Sequence, residues 1–431
     1  MKTTIASILT CWAVASNLSG AEPEYPLVAS QECRPRAGLP NFLKKASQTG
    51  AEVRIGYLGG SITAQPGWRV KTLAHFQQAY PEAKFGEINA AIGGTGSDLG
   101  VCRLQQDVLA QKPDLLFVEF AVNDGGAAPT QIVRCMEGIV RQTWRALPEC
   151  DICFVYTITE ALVPPLLEGK FQRSASAMES VADHYGIPTI HMGLEVARLA
   201  KAGKLLWKAP LPKDKAAQSA DAEPLVFAGD GVHPYTETGH ELYLRAIVRS
   251  LEPIAEASGT PGAHKLSAPL DPQNYEQAQM LPITAAATLS AGFAKPDDKL
   301  QPFAKNFAKR LPDLQTASRP GETIRFKFKG VRCALYHLVG PDSGQVTVTL
   351  DGVKNVRSCF DPYCTYHRLG TLVIGDRLPD AVHEVTIEIH PDMPDKTALL
   401  AKIGNKMDKP ERFQGTALYP GALLLVGEIV K

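Results

Sequence analysis

The sequence predicts a three-layer α/β/α sandwich with a parallel sheet, followed by a C-terminal β-sandwich of jelly-roll type. Residues 51–250 alternate short apolar runs with helical patterns, as a parallel sheet covered on both faces requires. Beyond residue 320 the apolar residues instead recur with a period of two, which is typical of half-buried strands. A chain of 431 residues is long enough for two such domains.

The first half divides into strands and helices by the length and spacing of its apolar residues. The strands read as short continuous apolar runs, which suits burial on both faces of a sheet. Helices are indicated where apolar residues recur every three or four positions and where Pro follows the pattern. The predicted strands are 53–58, 85–90, 115–122, 152–158 and 187–192, and the predicted helices are 67–80, 99–110, 129–146 and 174–184.

The second half begins with a change of composition. Residues 256–320 are rich in Pro, Ala, Lys and Asp and have little strand character, which predicts a linker or a wrapping segment. Alternating strands are then predicted near 324–328, 346–350 and 385–389, and an apolar strand at 422–426.

One loop of the second half is unusually rich in aromatic and cationic side chains. Such a cluster either packs between domains or forms a binding platform, and the sequence leaves both readings open. Its members are Phe360, Tyr363, Tyr366, His367 and Arg368.

The N-terminus has the features of a secretory signal peptide. Met1-Lys2 is a short basic start, residues 4–18 are mostly apolar or small, and Ser19-Gly20-Ala21 provides small residues at a cleavage spacing. The alternative, a membrane anchor, is disfavoured because the run is short and is interrupted by Ser and Asn. We therefore predict that residues 1–21 are removed and that the protein is secreted or periplasmic.

Charge and cysteine content narrow the classes of partner. Lys plus Arg and Asp plus Glu both number 45, so no excess charge indicates nucleic acid or an anionic membrane as partner. The spacing of the cysteines gives no metal motif; Cys150 and Cys153 are expected in the core, and Cys359 with Cys364 is the pair best placed for a disulfide.

Chemically suggestive residues stand where four segments end in turns. They are Ser61 after Gly59-Gly60, Gly94 in a glycine-rich turn, Asn123 after a buried strand, and Asp230 three residues before His233. Each alone has an ordinary structural reading as a cap, a turn former or a solvated loop residue. Because the carboxyl ends of parallel strands meet at one edge of the sheet, we expect these residues to share a cleft.

In this order the four segments resemble the sequence blocks of the SGNH, or GDSL-like, hydrolase superfamily. The resemblance covers about residues 50–250 and implies an SGNH hydrolase-like fold. It implies that Ser61 attacks an ester carbonyl, that His233 is the base and that Asp230 orients it. It further implies an oxyanion hole made by the Ser61 and Gly94 backbone N–H groups and the Asn123 side chain.

Two positions depart from the family pattern. Gly60 stands where the first block usually has Asp, and Ala121 stands where the third block usually has Gly. Glu119 is a further oddity, a carboxylate in an apolar strand, and we expect it to pair with Arg69 or Arg103.

The residues themselves support the chemistry that the family implies. A serine hydroxyl becomes a good nucleophile when a neutral imidazole takes its proton, and a carboxylate fixes the imidazole tautomer. The separation of Asp230 and His233 lets the carboxylate reach Nδ1 while Nε2 faces Ser61. No metal or organic cofactor is implied, because these groups supply nucleophile, base and charge stabilisation.

The resemblance, the predicted export and the appended β-sandwich together predict a secreted serine esterase that removes acetyl groups from carbohydrates. We assign residues 22–255 to the catalytic domain and 321–431 to an accessory domain. Trp68, Arg69 and Trp207 are candidates for sugar contacts, although Trp68 could equally be a core residue of the first helix. The alternatives are a non-catalytic glycan-binding protein on a hydrolase frame and an esterase or lipase for other esters.

Overall fold

The computed structural model describes residues 25–430, so the predicted signal peptide of residues 1–21 lies outside the described residues. The strands are β1 Cys33–Arg34, β2 Glu52–Gly59, β3 Lys84–Asn89, β4 Leu115–Glu119, β5 Asp151–Tyr156, β6 Thr189–His191, β7 Leu205–Lys208, β8 Leu225–Ala228, β9 Ala278–Pro282, β10 Thr288–Leu289, β11 Thr323–Val339, β12 Gln345–Leu350, β13 Val353–Ser358, β14 Arg368–Gly375, β15 Ala381–Ile389 and β16 Tyr419–Val430. The α-helices are α1 Pro40–Ala46, α2 Ser61–Ala64, α3 Trp68–Ala79, α4 Ser97–Asp107, α5 Pro129–Ala146, α6 Val163–Leu167, α7 Arg173–Tyr185, α8 Leu194–Lys201, α9 Gly239–Ala257, α10 Ile283–Ala286 and α11 Lys396–Ala401.

The first half is the predicted α/β/α sandwich. Its six-stranded sheet has the order β1-β6-β5-β4-β2-β3, in which β2 to β6 run parallel and only the short edge strand β1 is antiparallel. Strands β4 and β5 are buried throughout because helices cover the sheet on both faces. In one helical layer α3 and α8 pack on α9, and in the other α4 and α7 pack on α5.

The C-terminal half is an antiparallel eight-stranded sheet of β-sandwich type, also as predicted. Its main order is β13-β12-β15-β11-β16-β9, and β10 and β14 pair with β11 outside that path. The long strand β11 pairs with β15 over its first half and with β14 over its second half. On this edge β11 therefore changes partner from β15 to β14, while β16 pairs with its other edge, and the sheet folds over its own core.

The segment 256–320 contains more strand than its composition indicates. Strand β9 pairs with β16 from Ala278 to Pro282, and β10 pairs with the start of β11. Neither strand has an alternating apolar pattern, so the sequence of the segment does not predict them. Each is held extended by its pairing with a neighbouring strand. We refer below to residues 25–257 as the α/β domain and to residues 278–430 as the β domain.

A single hydrophobic core joins the two domains. Strands β9 and β16 pack on helix α4, and the buried residues of this region form one cluster with the core of the α/β domain. Members from the β domain include Ala334, Tyr336, Leu338, Tyr419 and Leu424. A second cluster, which includes Ile324, Phe328 and Leu335, lies within the β domain itself.

The expected disulfide is not formed. All eight cysteines of the described residues are free thiols, and Cys359 and Cys364 lie in different hydrophobic clusters. The Cys364 sulfur instead accepts a hydrogen bond from the Asp361 N–H at 3.2 Å. Burial raises the pKa of both Cys359 and Cys364 to about 12, so each is held as a protonated thiol.

Candidate active site

Ser61 stands on the turn between β2 and the four-residue helix α2. The preceding Gly60 has an extended backbone, with φ −91° and ψ −154°, and packs directly against the Asn123 side chain. A Cβ atom at Gly60 would lie 2.0 Å from Asn123 Oδ1, which is inside van der Waals contact. In this chain the amide of Asn123 therefore occupies the space that a side chain at position 60 would need.

The structure brings Ser61, His233 and Asp230 together in hydrogen-bonding sequence. His233 Nε2 lies 2.8 Å from Ser61 Oγ, and His233 Nδ1 lies 2.6 Å from Asp230 Oδ2. With the Nδ1 proton directed at the carboxylate, Nε2 accepts the hydrogen bond that the Ser61 hydroxyl donates. The arrangement is the geometry required for general-base activation of a serine.

The turn itself fixes the Asp230 carboxylate. Its Oδ1 atom accepts the backbone N–H groups of Val232 and His233, each at 2.8 Å. Burial raises the pKa of Asp230, but the side-chain and backbone hydrogen bonds from His233 and the Val232 amide outweigh it and lower the pKa to about 2. Asp230 is therefore ionised throughout the neutral range and available to orient His233.

Gly94 and Asn123 both lie near Ser61. Gly94 lies in the turn after β3 with φ +72°, a left-handed conformation that favours glycine. Among residues 25–430 its backbone N–H has no hydrogen-bond partner. The adjacent Gly93 faces Ser61 so closely that a Cβ there would meet Ser61 Cβ at 3.6 Å. This turn therefore lies beside Ser61 and carries an unpaired N–H group.

Asp124 is a residue of the site that the sequence did not single out. It is buried next to Asn123, and its Oδ1 accepts the Ser97 N–H at 3.0 Å, while its Oδ2 has no partner in the described part of the chain. Burial raises its pKa to about 7, and the hydrogen bonds from Ser97 only partly oppose that effect. The one sequence signal that Asp124 belongs to the site is its position directly after Asn123 at the end of a buried strand.

Glu119 is buried as expected, but the predicted partners are wrong. Its two carboxylate oxygens accept hydrogen bonds from hydroxyls, Oε2 from Thr63 at 2.8 Å and Oε1 from Thr157 at 2.6 Å. Arg69 instead pairs with Glu87, and Arg103 pairs with Asp107. Desolvation raises the pKa of Glu119, and hydrogen bonds from Thr157, Thr63 and the Gly60 amide lower it in part.

The residues predicted to contact sugar do not line the cleft. Trp68 is fully buried and packs against Tyr57 and Phe117 in the core, which is the other reading that the sequence allowed. Arg69 is buried beside it, where it donates to the Thr63 carbonyl at 3.0 Å. Trp207 packs edge-on against Phe227 and is not among the cleft residues.

A cleft of about 830 Å³ opens at Ser61 and His233, and both domains line it. The near wall is the turn from Ile92 to Leu99, and the far wall belongs to the β domain. The far wall comprises Phe307, Tyr336, Tyr363, Tyr366, His367, Arg368, Leu369, Gly370 and Thr371. The aromatic loop of the second half thus lines the same cleft as Ser61.

Members of that loop divide between packing and exposure. Phe360 is buried against Phe413, and His367 stacks on Phe303. Tyr363 and Tyr366, in contrast, are 57% and 58% exposed. The loop therefore packs within the β domain and presents two exposed tyrosine rings at the cleft.

Comparison with known proteins gives the same assignment for the α/β domain. Residues 57–242 match the model of the GDSL-like Lipase/Acylhydrolase family. The α/β domain is a GDSL-like acylhydrolase domain. This domain is an acyl esterase of SGNH type, and its matched range includes Ser61, Asn123 and His233.

Solved structures resemble the acylhydrolase domain and its β domain together. A two-domain esterase active on acetylated mannans, co-crystallized with mannopentaose, has a TM-score of 0.67 at 20% identity over 92% of this chain and 97% of that one. A second structure of a two-domain esterase with that activity has a TM-score of 0.66 at 19% identity, over 92% and 97% of the chains. The acetylxylan esterase of Geobacillus stearothermophilus aligns with 48% of this chain and 96% of its own, at 18% identity and a TM-score of 0.36. None of the curated proteins compared with the chain matches it.

The described residues also show whether any group could bind a metal ion and whether any helix could span a membrane. No group of three or more His, Cys, Asp or Glu side chains within residues 25–430 is arranged to hold a metal ion. None of the helices in that range is both long and apolar enough to cross a bilayer.

Proposed function

We propose that the protein is a secreted serine esterase that removes acetyl groups from O-acetylated carbohydrates through an acyl-enzyme intermediate. The observation that carries the proposal is the continuous contact from Ser61 Oγ through His233 to the Asp230 carboxylate at the floor of an open cleft. In this proposal residues 22–255 form the catalytic domain, residues 256–320 form a linker or wrapping segment that also adds β9 and β10 to the sheet of the β domain, and residues 321–431 form the accessory domain.

In the acylation step His233 Nε2 takes the Ser61 hydroxyl proton as Oγ bonds to the acetyl carbonyl carbon. The carbonyl π electrons move to the oxygen, which becomes an oxyanion, while Asp230 stabilises the imidazolium. The carbonyl re-forms as the bond to the sugar oxygen breaks, and His233 gives its proton to that oxygen. The products of the step are a free sugar hydroxyl and acetyl-Ser61.

The oxyanion is held by groups that converge beside Ser61. We assign this role to the backbone N–H groups of Ser61 and Gly94 and to the Asn123 side-chain amide. The unpaired state of the Gly94 N–H supports it, because a donor without an internal partner is free to bind the developing charge. Asn123 is held against Gly60, so its amide is fixed before substrate arrives.

Deacylation repeats the same transfers with water. His233 takes a proton from the attacking water, a second tetrahedral intermediate forms at the acetyl carbon, and its collapse releases acetate. The proton returns to Ser61 Oγ, which restores the starting state without any cofactor.

The form of the cleft supports a carbohydrate substrate. Its far wall carries two exposed tyrosine rings, and aromatic faces pack well against the apolar face of a sugar ring. The cleft is open and of mixed polarity, which suits a hydroxyl-rich chain with a small acyl group better than a long fatty acyl chain. Two solved structures of similar fold are of esterases active on acetylated mannans, which supports a carbohydrate substrate.

The test measures acetate release from acetylated mannan, xylan and pectin and hydrolysis of nitrophenyl esters from acetyl to decanoyl, with Ser61→Ala as control. We expect Ser61-dependent release from at least one glycan and a rate that falls with acyl length. Preference for long acyl chains would overturn the carbohydrate assignment in favour of a lipase. Glycan binding with no Ser61-dependent release from any ester would favour the non-catalytic reading.

A further inference from the structure

The oxyanion loop, residues 90–98, carries Gly94 and has its carbonyl groups tied by side chains. The Ala90 carbonyl accepts a hydrogen bond from the Arg103 side chain. The Ile92 carbonyl accepts one at 2.8 Å from the hydroxyl of Thr95, which lies in the same loop. The Ala91 carbonyl accepts one from Arg310 Nη2 at 3.2 Å. Of these donors, only Arg310 belongs to the β domain.

A second arginine of the β domain reaches the end of the same loop. Arg332 on β11 is buried, and its Nη1 lies 2.7 Å from Asp376 Oδ1 while its Nη2 lies 3.4 Å from Asp98 Oδ2. Asp98 stands in the first turn of α4 and lines the cleft. A buried guanidinium stays charged and is costly to bury without partners, and Asp376 and Asp98 supply carboxylate partners for Arg332.

The opposite side of the loop is held by the α/β domain. Asp124 accepts the Ser97 N–H, and Gly96 packs so closely on Asp124 that a Cβ at position 96 would lie 2.3 Å from Oδ1. The loop is thus fixed between Asp124 on one side and Arg310 with Arg332 on the other. Both domains therefore contact this loop.

We propose that Arg310 and Arg332 are positioning residues, through which the β domain sets the direction of the Gly94 N–H in the oxyanion hole. The β domain then contributes to turnover of any ester, including one too small to reach the tyrosines of the far wall. The inference rests on the proposed esterase function.

The test uses nitrophenyl acetate with full-length Arg310→Met and Arg332→Met. A small displacement of an oxyanion donor weakens its hydrogen bond to the transition state more than its contact with the bound ester. We therefore expect kcat to fall by about 10-fold to 100-fold while KM stays nearly constant. The affinity for an alkyl boronic acid, which mimics the tetrahedral intermediate, should fall in the same proportion as kcat/KM. Arg332→Lys should recover part of the loss.

Arg377→Met is the matched control, since Arg377 is exposed and contacts the same Asp376 carboxylate at 3.7 Å. It should leave kcat unchanged. Unchanged kcat in folded Arg332→Met and Arg310→Met, or a rise in KM alone, would overturn the proposal.

If Arg332→Met fails to fold, Arg310→Met and Asp98→Asn decide in its place, because Arg310 and Asp98 are both partly exposed. Normal boronic acid affinity in both of these variants would again overturn it. Absence of Ser61-dependent turnover in the wild-type protein would instead count against the esterase function itself, so the two failures are distinguishable.

Discussion

At the scale of single residues, the site is organised by close approaches between groups from different turns. Gly60 and Asn123 are the clearest pair, because the amide of one fills the space that a side chain on the other would need. Gly60, which stands in place of the family's Asp, therefore leaves room for the Asn123 side chain. A local sequence comparison detects the difference at position 60, whereas the contact with Asn123 joins two strand ends that are distant in the sequence.

Replacing Asn123 by Ala removes the side-chain donor and leaves the strand end intact. We expect turnover of nitrophenyl acetate to fall by about 100-fold to 1000-fold, which is the usual cost of losing one oxyanion donor. The melting temperature should stay close to that of the wild type, since Asn123 is only partly buried. Near-normal turnover in this variant would show that the oxyanion assignment is wrong.

Asp124 should make the stability of the protein depend on pH. Its folded pKa of about 7 exceeds the value of about 3.9 in an unfolded chain, so the folded state binds more protons between these values. The contribution of this group to the free energy of unfolding is fully present below pH 4 and is lost as the pH rises through 7. The loss amounts to at most about 4 kcal/mol, because one pKa unit corresponds to about 1.4 kcal/mol.

Urea unfolding of Asp124→Asn at several pH values tests this prediction. The stability of the wild type relative to Asp124→Asn should fall from pH 4 to pH 8, because the amide does not titrate. Asp392→Asn, at an exposed position, serves as control and should show no such trend. A difference between wild type and Asp124→Asn that is constant with pH would contradict the prediction.

At the scale of elements, the turn that carries Ser61 is hydrogen-bonded to the end of strand β4. Glu119 ends that strand and accepts the Thr63 hydroxyl of helix α2 on one oxygen and the Thr157 hydroxyl beyond β5 on the other. Two strands and a helix therefore meet at one buried carboxylate. Such a group is costly to leave with an unsatisfied oxygen.

Thr63→Val and Thr157→Val remove these hydroxyls one at a time without much change of volume. Each should lower the free energy of unfolding by about 1 to 3 kcal/mol, which is the usual cost of an unsatisfied buried group. Only Thr63→Val, on the nucleophile turn, should also slow the labelling of Ser61 by a fluorophosphonate. Equal labelling rates in the two variants would mean that Glu119 supports the fold without guiding the nucleophile.

The elements that sequence reasoning identified are those with a pattern of their own. Helix α5 was predicted at its observed limits, and β2 and β11 were found from a continuous and an alternating apolar run. Strands β9 and β14 were missed because only their partners in the sheet hold them extended.

The candidate site divides in the same way. Ser61, Gly94, Asn123, Asp230 and His233 could be singled out because each stands in a local turn motif, and their chemical roles stay predictions. The partners of Glu119 were predicted wrongly because a buried charge was expected to meet an opposite charge, whereas two threonine hydroxyls satisfy it. The far wall of the cleft depends on how the domains pack, which no local pattern records.

At the scale of the whole molecule, the two domains share one apolar core. Residues such as Tyr336 and Leu424 are buried in the same cluster as the core of the α/β domain. Removing the β domain would expose this surface on α4 to water. Exposed apolar area of this kind causes aggregation.

Deleting residues 320–431 should therefore give an insoluble or unfolded product, in contrast to full-length Ser61→Ala, which should remain soluble. The measurements are soluble yield and the near-ultraviolet circular dichroism of any soluble fraction. A soluble, folded fragment with unchanged turnover of nitrophenyl acetate and lost binding to glycan would instead identify the β domain as an independent binding module.

The shared core also limits how such a protein can diversify. A β domain transferred from a related protein would need a surface that packs against α4. Recombination at the domain boundary is therefore constrained. The exposed tyrosines of the 363–366 turn carry no such requirement, since they face the cleft and not the core. Point mutations in that turn can therefore change the far wall of the cleft while the shared core and the contacts among Ser61, His233 and Asp230 stay unchanged.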